Sequence, residues 1–299
     1  MPAVRIALVT NSRSGTGIKA EELTQRLDGH GAQVVTVVPV QALGDPGGEA
    51  VEEVPDALAA VSFDRLAVAG GDGSIGLAAR AAVHLQRPLA VIPTGTANDF
   101  ARSLDLPLDP QDATALAAGV TPARMRRVDL ARVGDRPWVN AASAGLSVLA
   151  AREAHSLKPR LGAVAYLVGA LRAGLTGRPL DLVVHADGKR AWEGAAWQVT
   201  VGATGAFGGG AEIGGVSHGD GALDAAIVPA GSRLGLARTA VGMRLGRLTA
   251  QREVPHVRAR TIDVVAPAGT RFNVDGEVCT CVPAHFEVEP GALEVVVPA

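Results

Sequence analysis

Three glycine-rich segments hold the residues best suited to chemistry. They are Asn11-Ser12-Arg13-Ser14-Gly15-Thr16-Gly17, Gly70-Gly71-Asp72-Gly73-Ser74 and Pro93-Thr94-Gly95-Thr96-Ala97-Asn98-Asp99-Phe100. Glycine lets a backbone approach a ligand closely, and N–H groups at a helix N-terminus bind anions. One such segment is commonplace, because strand-to-helix turns favour glycine. Three on one sheet edge would make a shelf for phosphates. Asp72 and Asp99 lie inside two of the segments. A carboxylate beside phosphates makes sense with Mg2+ between them. A turn role for Asp72 and helix capping by Asp99, just ahead of Phe100, are the simpler readings. Asp129, between Val128 and Leu130, reads by itself as a buried carboxylate with a local partner. The lysines are Lys19, Lys158 and Lys189, and none closes a Walker A pattern. No G-x-G-x-x-G follows the first strand, so the dinucleotide fingerprint is absent too.

These segments need a scaffold that brings them together. Val4–Thr10, Gln33–Val38, Arg65–Ala69 and Leu89–Ile92 are short apolar runs that predict strands. Lys19–Leu27, Glu49–Ala60, Ser74–Leu85 and Gln111–Ala118 predict helices, with a break at Pro55. Alternating strands and helices imply a parallel sheet covered by helices, with ligands at the carboxyl ends of the strands. Beyond residue 128 the pattern changes. Leu161–Arg172 predicts one more helix, and Trp197–Val201 alternates with period two. Short strands separated by Pro and Gly follow: 257–259, 262–266, 271–274, 277–282, 285–288 and 293–297. Two domains are expected, an α/β domain over 1–128 and a β-rich sandwich over 129–299. The last strands are free to pack back on the first domain.

The motifs GGDGS, PTGTANDFAR, VDL, FGGG, DGALD and VDGE resemble those of the bacterial diacylglycerol kinase-type lipid kinases. Sphingosine and ceramide kinases share that catalytic fold. The resemblance runs from Asn11 to the closing strand, and PTGTANDFAR is its most specific part. It implies an NAD kinase/diacylglycerol kinase-like α/β domain that binds ATP and a β-rich domain that takes the lipid, with the active site between them. It also implies nucleotide contacts from Asn11, Ser12, Arg13, Ser14, Gly15, Gly70, Gly71, Asp72, Gly73, Ser74, Gly95, Thr96 and Asn98. By the same resemblance, Asp72, Asp99 and Asp129 form a carboxylate network with water and Mg2+. A second, structural Mg2+ would sit on Ser217, Asp220 and the Ala222 carbonyl. Glu277 would be the proton acceptor. From the residues alone, Asp275-Gly276 is a two-residue hairpin signal and Glu277 the first residue of the returning strand. The sequence departs from the family pattern after GGDGS, where Gly76 and Leu77 replace an Asn-Glu pair.

Composition narrows the function further. The net charge is −2 over 299 residues, which argues against a nucleic-acid partner. Cys279 and Cys281 are the only cysteines, too few for a disulfide framework. With His285 nearby they suggest a metal less readily than alternate positions of a strand. The longest apolar stretch, Leu161–Leu171, is too short to span a membrane. A cytoplasmic protein is expected. Arg102, Arg124, Arg126 and Arg127 each read most simply as part of a solvated face, with peripheral membrane docking on anionic lipid headgroups as the alternative. A homodimer through exposed strand edges is compatible with the pattern. The leading expectation is an ATP- and Mg2+-dependent kinase of a lipid hydroxyl, such as that of diacylglycerol. A kinase of a soluble alcohol is one alternative. A non-catalytic nucleotide- or lipid-binding homologue, supported by Gly76 and Leu77, is the other.

Overall fold

The computed structural model describes residues 3–11, 17–44, 54–150, 174, 176–204, 218–233, 235–236, 239, 253–280 and 284–299. The first half alternates β1 (Arg5–Thr10), α1 (Ala20–Gly29), β2 (Gln33–Pro39), α2 (Asp56–Ala59), β3 (Arg65–Gly70), α3 (Asp72–His84), β4 (Leu89–Pro93), α4 (Asp99–Ser103) and α5 (Pro110–Ala118). Local chemistry explains the boundaries. α1 buries Leu23 and Leu27, one turn apart. α2 begins directly after Pro55, where the sequence reading placed a break in a longer helix. α5 opens on Pro110, is capped by the Asp109 side chain, and ends at Gly119 with φ +80°.

β1 to β4 pair in parallel in the order β2-β1-β3-β4. β5 (Ala123–Val133), β6 (Arg136–Trp138), β7 (Ala141–Gly145), β8 (Leu180–Ala186), β9 (Lys189–Gly202) and β10 (Leu223–Pro229) follow. β11 (His256–Ala259), β12 (Thr261–Val265), β13 (Phe272–Val274), β14 (Glu277–Cys279) and β15 (Ala284–Pro298) complete the described strands. β7 to β14 pair only antiparallel, in the order β14-β13-β7-β9-β8-β12, with β10 joining β9 to β11. The expected architecture is present: a helix-covered parallel sheet followed by a β-rich half.

β5 and β15 link the two halves. They pair antiparallel, and β15 also touches β4 in parallel at Val295–Leu89. Val128 and Leu130 of β5 enter the first hydrophobic core, and Ala131 and Val133 enter the second. β15 makes the same change, with Phe286 and Val288 in the second core and Leu293, Val295, Val296 and Val297 in the first.

Some details differ from the sequence reading. The stretches 285–288 and 293–297 belong to one strand, β15, whose register shifts between Glu289 and Leu293. The kink falls at Pro290-Gly291, where Gly291 takes φ +57°. β9 was expected to alternate, yet 196–202 is buried throughout. Gln198 is tolerated there because its amide donates to the Thr200 hydroxyl at 2.9 Å. The helix expected over Leu161–Arg172 lies outside the described residues, as do residues 49–53 of the Glu49–Ala60 helix.

Candidate active site

The turns after β3 and β4 touch backbone to backbone. A Cβ built on Gly95 would lie 2.6 Å from Gly71 Cα, and one on Gly70 would lie 2.5 Å from Ser74 Cβ. Thr94 N–H donates to the Gly70 carbonyl at 3.0 Å and locks the pair. These glycines are therefore required by space. Asn98, in the left-handed region at φ +52°, closes its own turn. Its amide donates to the Gly95 carbonyl at 3.1 Å, and its Oδ1 accepts from Gly95 N–H at 2.9 Å. At the end of β1, Asn11 donates its amide to Ser74 Oγ at 2.8 Å. Both asparagines thus hold the shelf together. Gly73 is half-buried and Thr96 exposed. The Asp72 and Gly73 N–H groups belong to the first turn of α3, which a helix leaves without intrahelical partners. Ser12, Arg13, Ser14 and Gly15 lie outside the described residues.

Asp72 is the first residue of α3, and its carboxylate caps the next helix. Its oxygens accept from Asp99 N–H at 3.2 Å and from Phe100 N–H at 3.0 Å. A third donor is the Asn140 side-chain amide, at 2.8 Å. Asp99 is therefore the first residue of α4 and not its cap, because Asp72 satisfies the amides a cap would serve. Asp99 is buried, at 5% exposure.

Asp129 is buried as well and spends both oxygens on loops. One accepts from Gly221 N–H at 2.8 Å and the other from Gly291 N–H at 2.7 Å. It thereby ties the kink of β15 to the turn before β10, where β5 passes between cores. Among the described residues no three His, Cys, Asp or Glu side chains gather to hold a metal ion. Asp72 and Asp129 instead hold backbone and side-chain amides in place.

The proposed second cation segment is engaged in another way. Ser217 lies outside the described residues. Asp220 pairs with the Arg258 guanidinium, and its other oxygen accepts from Ala222 N–H at 3.2 Å. A divalent ion would compete with Arg258 for that carboxylate. His218 is buried. Burial, then the nearby Arg126, pull its pKa below the usual value, so it is neutral at pH 7. Asp224, next in the segment, lies 2.6 Å from His256 Nε2. Burial pushes its carboxyl up against the opposing effect of that bond.

β13, Asp275-Gly276 and β14 form the expected two-residue hairpin, with Val274 opposite Glu277. Asp275 and Gly276 take φ +48° and +93°, as that turn requires. Glu277 starts β14, the outermost strand beside β13, and is exposed. Asp275 turns inward and accepts from Val139, Asn140 and Ala141 N–H at 2.7, 2.9 and 3.1 Å. Burial pushes its pKa up to about 7, with the Asp72 charge adding and the three N–H bonds opposing. Asn140 and Asp275 were not singled out from sequence as site residues. The one available signal was an asparagine inside the apolar run Trp138–Gly145.

Gly76 and Leu77 are packing positions. A Cβ on Gly76 would sit 3.3 Å from the Pro137 carbonyl and 3.8 Å from Asp275 Oδ2. Leu77 is buried in the first core. The missing side chain at Gly76 lets α3 approach the 137–138 backbone and the hairpin tip. Cys279 is half-buried on β14, and Cys281 lies outside the described residues.

Comparison with known proteins decides the family. The model of the diacylglycerol kinase catalytic domain matches residues 5–133, and that of the YegS C-terminal NAD kinase beta sandwich-like domain matches 140–297. The chain belongs to the diacylglycerol kinase-type lipid kinases. It is a phosphotransferase by its catalytic domain. A protein named "Diacylglycerol kinase" from Mycobacterium tuberculosis is 30% identical to this lipid kinase family member, over 98% of the chain and 95% of the relative. A Pseudomonas aeruginosa protein named "Probable lipid kinase YegS-like" is 35% identical, over 84% of the chain and 82% of the relative. A crystal structure of a diacylglycerol kinase from Bacillus anthracis matches the fold with TM-score 0.76 at 22% identity, covering 99% and 98% of the two chains. Among the described residues, no helix of this kinase is long and apolar enough to cross a membrane.

Proposed function

We propose that the protein transfers the γ-phosphoryl group of Mg-ATP to a hydroxyl of a lipid such as diacylglycerol. One observation carries the reading. The Gly70–Ser74 and Thr94–Asp99 turns lie in backbone contact at the carboxyl ends of parallel β3 and β4, with Asp72 joining both helices that start there. Backbone N–H groups of these turns would hold the phosphates. Mg2+ would arrive with the nucleotide as part of the substrate and neutralise phosphate charge. Glu277 would accept the hydroxyl proton as the lipid oxygen bonds to the γ-phosphorus. The bond from that phosphorus to the bridging oxygen breaks, and ADP leaves with the electron pair. Asp72 would set the relative position of α3 and α4, while Asp129 would set the junction between the halves. We place the domain division near residue 128, with β15 returning to the first domain. A lipid acceptor implies contact with a membrane surface, and the exposed Arg124, Met125 and Arg127 on β5 are suited to anionic headgroups.

The test is transfer of label from γ-labelled ATP, with Mg2+, to lipid and soluble alcohols in mixed micelles. A labelled lipid is the expected product and identifies the acceptor class. Label on a soluble alcohol alone overturns the lipid assignment. ATP binding without transfer to any acceptor overturns the catalytic one.

A further inference from the structure

At an ordinary Asp-Gly hairpin tip the aspartate is chosen for its backbone conformation. Asp275 also fills a concavity of three successive amides, on Val139, Asn140 and Ala141. Its own N–H donates back to the Ala141 carbonyl at 3.0 Å. Next to it, Arg136 donates to the Val274 carbonyl at 3.1 Å. The tip is thereby fastened to the 136–141 segment from both sides. That segment is in turn fastened to the shelf. Asn140 donates its side-chain amide to Asp72 Oδ1 at 2.8 Å, and Thr204 donates to Asn140 Oδ1 at 3.2 Å. Gly76 allows α3 to lie against Pro137 and Asp275 Oδ2 without an intervening side chain. A continuous path of hydrogen bonds thus runs from the hairpin that bears Glu277, through Asn140, to the carboxylate that caps α4.

We propose that Asp275 and Asn140 are positioning residues for phosphoryl transfer, holding the Glu277 hairpin in fixed register with Asp72 and the nucleotide turns. This rests on the reading of Glu277 as proton acceptor. Each residue has a distinct part. Asp275 supplies acceptors that an amide side chain cannot fully replace, because one oxygen would become an N–H donor facing backbone N–H groups. Asn140→Ala keeps the backbone N–H that bonds Asp275, so this variant removes only the side-chain links to Asp72 and Thr204. Displacing a reacting group by about 1 Å costs on the order of 10²-fold in rate. Neither residue need touch nucleotide for that loss to appear.

The experiment compares wild type, Asp275→Asn and Asn140→Ala at a temperature where melting curves show each fully folded. Steady-state transfer from Mg-ATP and the hydrogen exchange of peptides covering 272–279 are both measured. The expected result is a fall in kcat of at least about tenfold in each variant, with the KM for ATP held within about twofold. Faster exchange of the hairpin should accompany it. A kcat within about twofold of wild type in Asn140→Ala, with unchanged hairpin exchange, overturns the proposal. A rise in KM for ATP with kcat unchanged also overturns it, since the pair would then serve nucleotide binding. A wild-type protein with no transferase activity defeats the kinase reading itself. Hairpin exchange then still decides whether Asn140 and Asp275 hold the tip.

Discussion

Replacing Gly95 by alanine should separate the two nucleotide turns and weaken Mg-ATP binding. The added Cβ would lie 2.6 Å from Gly71 Cα and 2.7 Å from Asn98 Oδ1. Comfortable carbon–carbon contact begins near about 3.5 Å, so the turns must part by roughly 1 Å. Neither neighbour gives easily. Gly71 Cα is backbone at the start of α3, and Asn98 Oδ1 is held by Gly95 N–H. Overpacking of this kind costs about 1–3 kcal/mol, which lowers Tm by several degrees at roughly 2–4 °C per kcal/mol. The loss in ATP affinity should be larger than the stability loss suggests, because the displacement is centred on the backbone proposed to hold the phosphates. At least about a tenfold rise in Kd is expected, within the order of 10²-fold that 1 Å can cost. Gly71→Ala is the graded comparison, since its Cβ would meet Gly95 Cα at 3.2 Å and demands less movement. Gly29→Ala, whose Cβ meets nothing within 4 Å, is the control. Calorimetric titration with Mg-ATP and a thermal melt of each variant supply the data. Wild-type affinity in Gly95→Ala would refute the assignment of these turns to the nucleotide.

Three further outcomes are expected. Glu277→Gln keeps the side-chain shape and removes the base, so kcat should fall by about 10²–10⁴-fold with ATP binding intact, read by labelled phosphate transfer. An unchanged kcat removes Glu277 from the role. The folded-state pKa of Asp275, pushed up to about 7 from an ordinary 3.8, means that the native protein binds this proton more tightly than the unfolded chain. Its stabilising contribution is therefore full below pH 3.8 and lost as pH rises towards about 7. Urea denaturation across that window should show wild type losing stability relative to Asp275→Asn as pH rises, and a pH-independent difference contradicts it. Arg258 pairs with Asp220, so millimolar MgCl2 without nucleotide should leave the wild-type Tm unchanged. Arg258→Ala frees that carboxylate and should make Tm rise with MgCl2. An equal Mg2+ response in both proteins counts against this competition.

Much of this was legible in the chain. Apolar runs of strand length separated by helical periodicity specify the α/β half, because burial on both faces of a parallel sheet demands continuous apolar segments. The glycine segments announce close backbone approach, and Gly70, Gly71 and Gly95 show it. Asp275-Gly276 specifies its hairpin because few residues accept two consecutive positive φ values. The motif set from Asn11 to Glu277 indicates the lipid kinase family, and the comparisons show it.

Tertiary structure alone decided what each polar side chain does. Nothing local to Asp72 shows that its carboxylate caps a helix 27 residues away and meets Asn140 at a separation of 68. Asp129 reaches Gly291 across 162 residues because β5 and β15 run side by side from one core into the other. Asp275 finds its amides 134 to 136 residues earlier because β13 pairs with β7. The physical reason is common to all three. Local sequence sets backbone conformation and which face is apolar. A carboxylate is satisfied by whichever donors the strand order and register bring to it. Those donors come from strands far apart in the chain, and strand order is settled only when the cores close.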